Sequence, residues 1–230
     1  MSKFIGLNDL FVLQEWVRLQ TQRAGLTARF EQGGTVPRTN KREMIIPAFN
    51  PSMTEDDVLN LRSHVIHECP HHQYGPVAFH TDKPWSVVSP QTQSDLFSLI
   101  NMIEDSRINR VAAKQFKGDA IHLSAGDRLA IGRVADALEQ RMEEAGVTAD
   151  ELPKNIEKLL PCLVTGIESQ NDWNVGLNIG AKPLFEVVRD GKETNRVYEK
   201  LKNLGYLERI ANLKSFEESF RCALDMYRDA

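Results

Sequence analysis

The chain has 230 residues, 41% hydrophobic and 26% charged, with a formal net charge of −4. That length suits one domain, or one domain with an appendage, and supplies enough apolar residues for a core. The composition excludes collagen-like, coiled-coil and wholly disordered chains, and the mild acidity leaves no electrostatic footprint for nucleic acid. No apolar run approaches the ~18 residues of a membrane span, so neither nucleic acid nor a membrane is expected as a partner. The first ten residues lack the basic-then-apolar pattern of a signal peptide. Cys69, Cys162 and Cys222 are odd in number and far apart, which suits neither a disulfide framework nor a cysteine zinc cage. A reduced, cytoplasmic protein is expected, with Cys162 and Cys222 as small core residues.

In chain order, residues 9–24 read as an amphipathic helix carrying Leu10, Phe11, Leu13, Trp16, Val17 and Leu19. Residues 26–30 and 43–49 are short β-compatible runs on either side of the turn-rich Gly33-Gly34 and 37–42 segments, and predict a hairpin. Pro47 belongs at a sheet edge or near a strand end. Thr54 to Asp57 forms a capping box with Asp in place of the usual Glu, followed by Val58, Leu61, Val65 and Cys69 at helical spacing. Residues 73–93 are rich in Pro, Gly, His and aromatics without periodicity and read as a functional loop. Residues 94–113 are helical again, as are 125–146, 150–163, 183–189, 193–210 and 214–228; residues 165–182 carry no assignable pattern. The layout is α+β: a mostly helical domain with a small N-terminal β-sheet and a helical C-terminal half. It divides into a core over residues 1–123 and a helical extension over 124–230, or forms one continuous domain.

The histidines carry the functional signal. Five of the six (His64, His67, His71, His72 and His80) fall in one short stretch, and His67-Glu68-Cys69-Pro70-His71 matches H-E-x-x-H. Two histidines at i and i+4 project from one helix face and can share one zinc ion, and the intervening Glu can then act as general base. Catalytic zinc sites take three protein ligands and leave a fourth position for water, so a third ligand is required. His64 shares the face of His67 and His71 and could replace one of them. His80, with Asp82, could come over the site as third ligand or transition-state donor. Tyr74 is a further candidate for oxyanion stabilisation, whereas metzincin ligation fails because position 77 is Val. Pro70 sits inside the motif, where it removes a helical hydrogen bond; either the helix kinks there or His71 leaves it.

The second chemical segment is Asn101-Met-Ile-Glu-Asp-Ser-Arg-Ile108. Asn101, Glu104 and Asp105 stand at i, i+3 and i+4 and share a face. Glu104 lies among Ile100, Ile103 and Ile108, and a semi-buried carboxylate needs a partner or a metal.

Several features occur in a fixed order: an Ile-Ile-Pro strand, a Thr-Glu-Asp helix start, Leu-Arg-Ser-His-Val-Ile-His-Glu-x-x-His, a Thr-Asp pair, and Asn-x-x-Glu-Asp-x-Arg-Ile. Over residues 43–109 this order resembles the zincin-type metallopeptidase-like domain found with von Willebrand A domains in cobaltochelatase CobT-like proteins and their phage-encoded relatives. The resemblance implies Zn2+ held by His67, His71 and Glu104, with Glu68 as general base. Asn101 and Asp105 would orient a ligand histidine or brace the helix, and Arg107 would pair with Asp105 or another carboxylate. The expected chemistry is hydrolysis of a peptide or amide bond in a peptide or protein substrate. The alternative is a zincin scaffold without turnover that serves as an interaction or regulatory protein. Residues 124–230 carry no chemical motif and could cap the cleft, bind a protein partner or complete the core.

Overall fold

The computed structural model describes residues 6–32, 37–39, 42–50, 52–74 and 89–230. Helix α1 (Leu7–Arg23) forms where Leu10, Leu13 and Val17 recur at helical spacing and turn inward. Gly25, at a φ of 80°, takes the left-handed conformation that redirects the chain into the first strand. Strand β1 (Thr27–Glu31) lies parallel to β3 (Glu43–Pro47), and the short β2 (Arg38–Thr39) is antiparallel to β3 on its other side. The order β1-β3-β2 replaces the expected hairpin. Residues between β1 and β3 place β2 on the far side of β3, so the chain crosses over and returns in the direction of β1, which a tight turn cannot accomplish. Pro47 ends β3, where its missing donor costs the ladder least. Met44 and Ile46 are fully buried against Leu13, Val17, Leu61, Val65 and Cys69, joining the sheet to the first two helices.

Helix α2 (Glu55–Tyr74) starts at the expected box: the Thr54 amide donates to Asp57 Oδ2 at 2.8 Å, and the Asp57 amide donates to Thr54 Oγ1 at 3.2 Å. It continues through Pro70, so His71 stays helical. The ring leaves the Ile66 carbonyl without its usual amide, but only the last turn follows, and Pro70 is itself buried. Helix α3 (Pro90–Gln115) is capped by Ser89, whose Oγ accepts from the Thr92 amide at 3.2 Å. A single extended residue, Phe116, separates it from α4 (Lys117–Ala145).

The remainder is helical: a 3-10 turn at Ala149–Glu151, then α5 (Lys154–Glu168), α6 (Val175–Asp190), α7 (Lys192–Asn203), α8 (Tyr206–Ala211) and α9 (Phe216–Asp229). The segment without a readable pattern holds the end of α5, a turn, and the start of α6. There Asn174 Oδ1 accepts from the Leu177 amide at 3.0 Å. The helix expected over 193–210 is broken at Gly205, whose φ is 78°. The fold is α+β, as the patterning indicates. Helix α3 contributes Leu99, Ile100 and Ile103 to a core shared with α5, α7, α8 and α9, and α4 runs uninterrupted across residues 123 and 124. Among the described residues no helix is long and apolar enough to cross a membrane.

Close approach explains the weak helical pattern of α6. Gly176 and Gly180 face the backbone of α4, where an added Cβ would lie 1.9 Å from the Ser124 oxygen and 2.3 Å from the Arg128 oxygen, respectively. These glycines and Pro183 lower helix propensity but allow the two helices to touch backbone to backbone. Gly126 likewise admits α2, since a Cβ there would meet Ser63 Cβ at 2.0 Å. Gly180→Ala is therefore expected to destabilise the protein by about 1–3 kcal/mol in denaturant melts. Gly132→Ala on α4, with nothing within 4 Å, is expected to leave stability unchanged or raise it by up to ~1 kcal/mol.

Candidate metal centre

Helix α2 presents His67 and His71 one turn apart, and α3 presents Asp105 against them. The two Nε2 atoms are 3.1 Å apart, and Asp105 Oδ1 lies 2.9 Å from His71 Nε2 and 3.6 Å from His67 Nε2. Two of the three converging atoms are aimed by a neighbour. His67 Nδ1–H donates to Asn109 Oδ1 at 2.8 Å, which leaves the Nε2 lone pair toward the cluster. Asn101 Nδ2 donates to Asp105 Oδ2 at 2.9 Å, which leaves Oδ1 facing the imidazoles. The side chains of His67, His71 and Asp105 are 21%, 23% and 21% exposed, open enough for an ion to enter.

The donor set fits a tetrahedral ion. Ligand atoms about 2.0–2.1 Å from a tetrahedral zinc stand roughly 3.3 Å from one another, and the three separations here bracket that value. All three atoms lie within 4.8 Å of one another. Burial opposes the charged form of His67, but Asp105, Glu68, the Asn109 hydrogen bond and Asp127 together outweigh it and hold the imidazole pKa above its ordinary value. Such a concentration of negative charge around imidazoles suits a cation.

Glu68 follows His67 and lines a cavity of about 360 Å³ together with His67 and Asp105. Thr39 Oγ1, from the edge strand β2, donates to Glu68 Oε2 at 3.1 Å. His64 also lines this cavity, and its Nδ1 donates to the Asn60 carbonyl at 2.8 Å; it is not in the convergent triad.

The third member of the cluster differs from the ligand set that the resemblance implies: it is Asp105, not Glu104. Glu104 is 1% exposed and is not in the converging group. Its two oxygens accept from Arg107 Nε at 2.8 Å and Nη2 at 2.5 Å. One residue further along a helix is a rotation of about 100°, so Asp105 takes the side facing α2 while Glu104 takes the interior, where a buried carboxylate requires a cation. Arg107 pairs with Glu104 rather than with Asp105. Asn101 hydrogen-bonds Asp105 of this cluster rather than either histidine. Tyr74 is turned away: its hydroxyl exchanges hydrogen bonds with the Gln115 amide. Cys69 packs in the N-terminal core, where burial pushes its thiol up to about 12. His80, Asp82 and most of the expected functional loop lie outside the described residues.

Three residues of the site escaped the sequence reading. Asn109 extends the polar stripe of Asn101 and Asp105 at i+8 and i+4, a signal that was present. Asp127, on α4, and Gln170, after α5, line the cavity from separate elements, and nothing local marks them. Burial raises Asp127 to about 6 against the pull of His67 and a hydrogen bond from Asn174.

No protein-family model, curated protein or solved structure matches this chain.

Aspartate and glutamate at neighbouring positions can be separated by substitution. Asp105→Asn is expected to weaken zinc binding at least tenfold in competition titrations. Glu104→Gln is expected to keep zinc affinity within about threefold and to lower stability by about 3–5 kcal/mol, because Arg107 then stays buried without its charge partner.

Proposed function

We propose that this chain is a zinc-dependent hydrolase of peptide or amide bonds, with His67, His71 and Asp105 holding the ion and Glu68 as general base. The observation that carries this reading is the convergence of two imidazole nitrogens and one carboxylate oxygen beside Glu68. Two nitrogens and one oxygen with an open fourth side suit a catalytic zinc better than a closed structural site. The sequence resemblance to zincin-type domains points the same way, with the carboxylate ligand moved by one residue.

When bound, zinc supplies a Lewis acid that polarises a carbonyl and acidifies water. The chain's own residues do the rest. Thr39 fixes Glu68 Oε2, and Glu68 takes a proton from the attacking water and passes it to the leaving amine. Asn109 holds the His67 tautomer and Asn101 holds the Asp105 carboxylate, so no side chain has to reorganise as charge develops.

Protein expressed in zinc-replete medium is expected to carry about one zinc per chain by elemental analysis and to cleave members of a mixed peptide library. Glu68→Gln is expected to retain the zinc and lose cleavage. Absence of stoichiometric metal overturns the reading. Zinc retained without cleavage by the wild type points instead to a metal-holding interaction protein on the same scaffold.

A further inference from the structure

The cavity at the metal centre is unbalanced in charge and in hydrogen bonding. Its wall carries Glu68, Asp105 and Asp127, and its described lining contains no lysine or arginine. In the functional reading above, Asp105 is a ligand and Glu68 handles the proton. A divalent ion offsets two of the three negative charges and leaves the third without a counterion. Asp127 is the carboxylate with no assigned role. Its Oδ2 accepts from Asn174 Nδ2 at 2.8 Å, and no other hydrogen bond reaches it among the described residues.

Gln170 adds an independent observation. It is 3% exposed and lines the same cavity. Its Nε2 donates to Ser106 Oγ at 3.0 Å, while Ser106 Oγ–H is itself directed at the Met102 carbonyl at 2.8 Å. The serine therefore accepts from the glutamine, which fixes the orientation of the amide and leaves Oε1 as a buried acceptor with no donor. Buried acceptors without donors are uncommon and point to a missing partner. Met102, Ala130, Ile131 and Leu177 give the wall an apolar stretch that would cover an aliphatic stem, beside the polar Ser63, His64 and Asn109.

We propose that this cavity takes a positively charged side chain of the substrate, a guanidinium or ammonium, on the Asp127 carboxylate and Gln170 Oε1. The site thereby selects a basic residue next to the bond that is cut. The inference rests on the hydrolase reading for the identity of the occupant as substrate, but the cation site itself is testable without turnover.

The probes are Nα-acetyl-arginine methylamide and the citrulline compound of the same length, in which a neutral ureido group replaces the guanidinium. The corresponding pair of lysine and Nε-acetyl-lysine extends the test to ammonium. Titration calorimetry on zinc-loaded and chelator-treated full-length protein is expected to show at least tenfold tighter binding of the charged member of a pair. Asp127→Asn, which can still accept from Asn174, is expected to bring the two members within about threefold. Equal binding of charged and neutral probes, or no saturable binding of either charged one, overturns the proposal. So does an Asp127→Asn protein that keeps the full discrimination. The wild-type comparison decides the matter even if the variant fails to fold. Zinc content of the same samples separates the two readings. A charge preference without stoichiometric zinc supports the cation site and overturns the hydrolase; zinc without a charge preference does the reverse.

Discussion

The pair between Arg107 and Glu104 sets the rotation of α3, and the site follows from that rotation. Both side chains are almost fully buried, at 4% and 1% exposure, and the guanidinium holds both carboxylate oxygens. Arg107 also donates to the Tyr74 carbonyl at 2.9 Å, the last residue of α2, and to the Lys214 carbonyl ahead of α9. One cation thus ties α3 to the end of the histidine helix and to the C-terminal helices. With Glu104 held inward, Asp105 can only face the histidines. A lone buried charge would be untenable, and the bidentate geometry together with the two carbonyls satisfies the guanidinium.

That arrangement also gives residues 124–230 a structural part in the site. The C-terminal helices complete the core under α3, and α4 and the turn after α5 supply Asp127 and Gln170 to the cavity wall. The glycine contacts between α4 and its neighbours bring these walls close enough to face α2. The N-terminal sheet contributes through Thr39, whose hydroxyl holds one oxygen of Glu68. The cavity is therefore assembled from α2, α3, α4, the segment following α5 and the start of α6, with Thr39 bracing Glu68, and no contiguous piece of chain contains it.

How much of this was legible in the sequence depended on how local the cause was. The i, i+4 histidines and the Thr54–Asp57 box are set by the helix repeat, and each stands where its spacing puts it. The partner of Asn101 and the choice between Glu104 and Asp105 depend on which face of α3 meets α2. Adjacent carboxylates both look like ligands until Arg107 claims one of them. The hairpin expectation failed for a related reason: β-propensity marks strands but not their neighbours, and β3 found β1 in parallel with β2 on its other flank. Gly176, Gly180 and Pro183 hid most of α6 because residues chosen for close packing are poor helix formers. Asp127 and Gln170 are distant in sequence from every motif and become visible only once the cavity exists.

A zinc ion held as proposed by His67, His71 and Asp105 would face nitrogen and oxygen atoms alone. X-ray absorption at the zinc edge on the full-length protein tests this most directly. The expected spectrum shows a four-coordinate first shell at about 2.0–2.1 Å, with two imidazoles and the remaining positions filled by oxygen. The same spectrum from Asp105→Asn should change, and that from Glu104→Gln should not. A sulfur scatterer at about 2.3 Å, fewer than two imidazoles, or a spectrum that responds to Glu104 and not to Asp105 would contradict it.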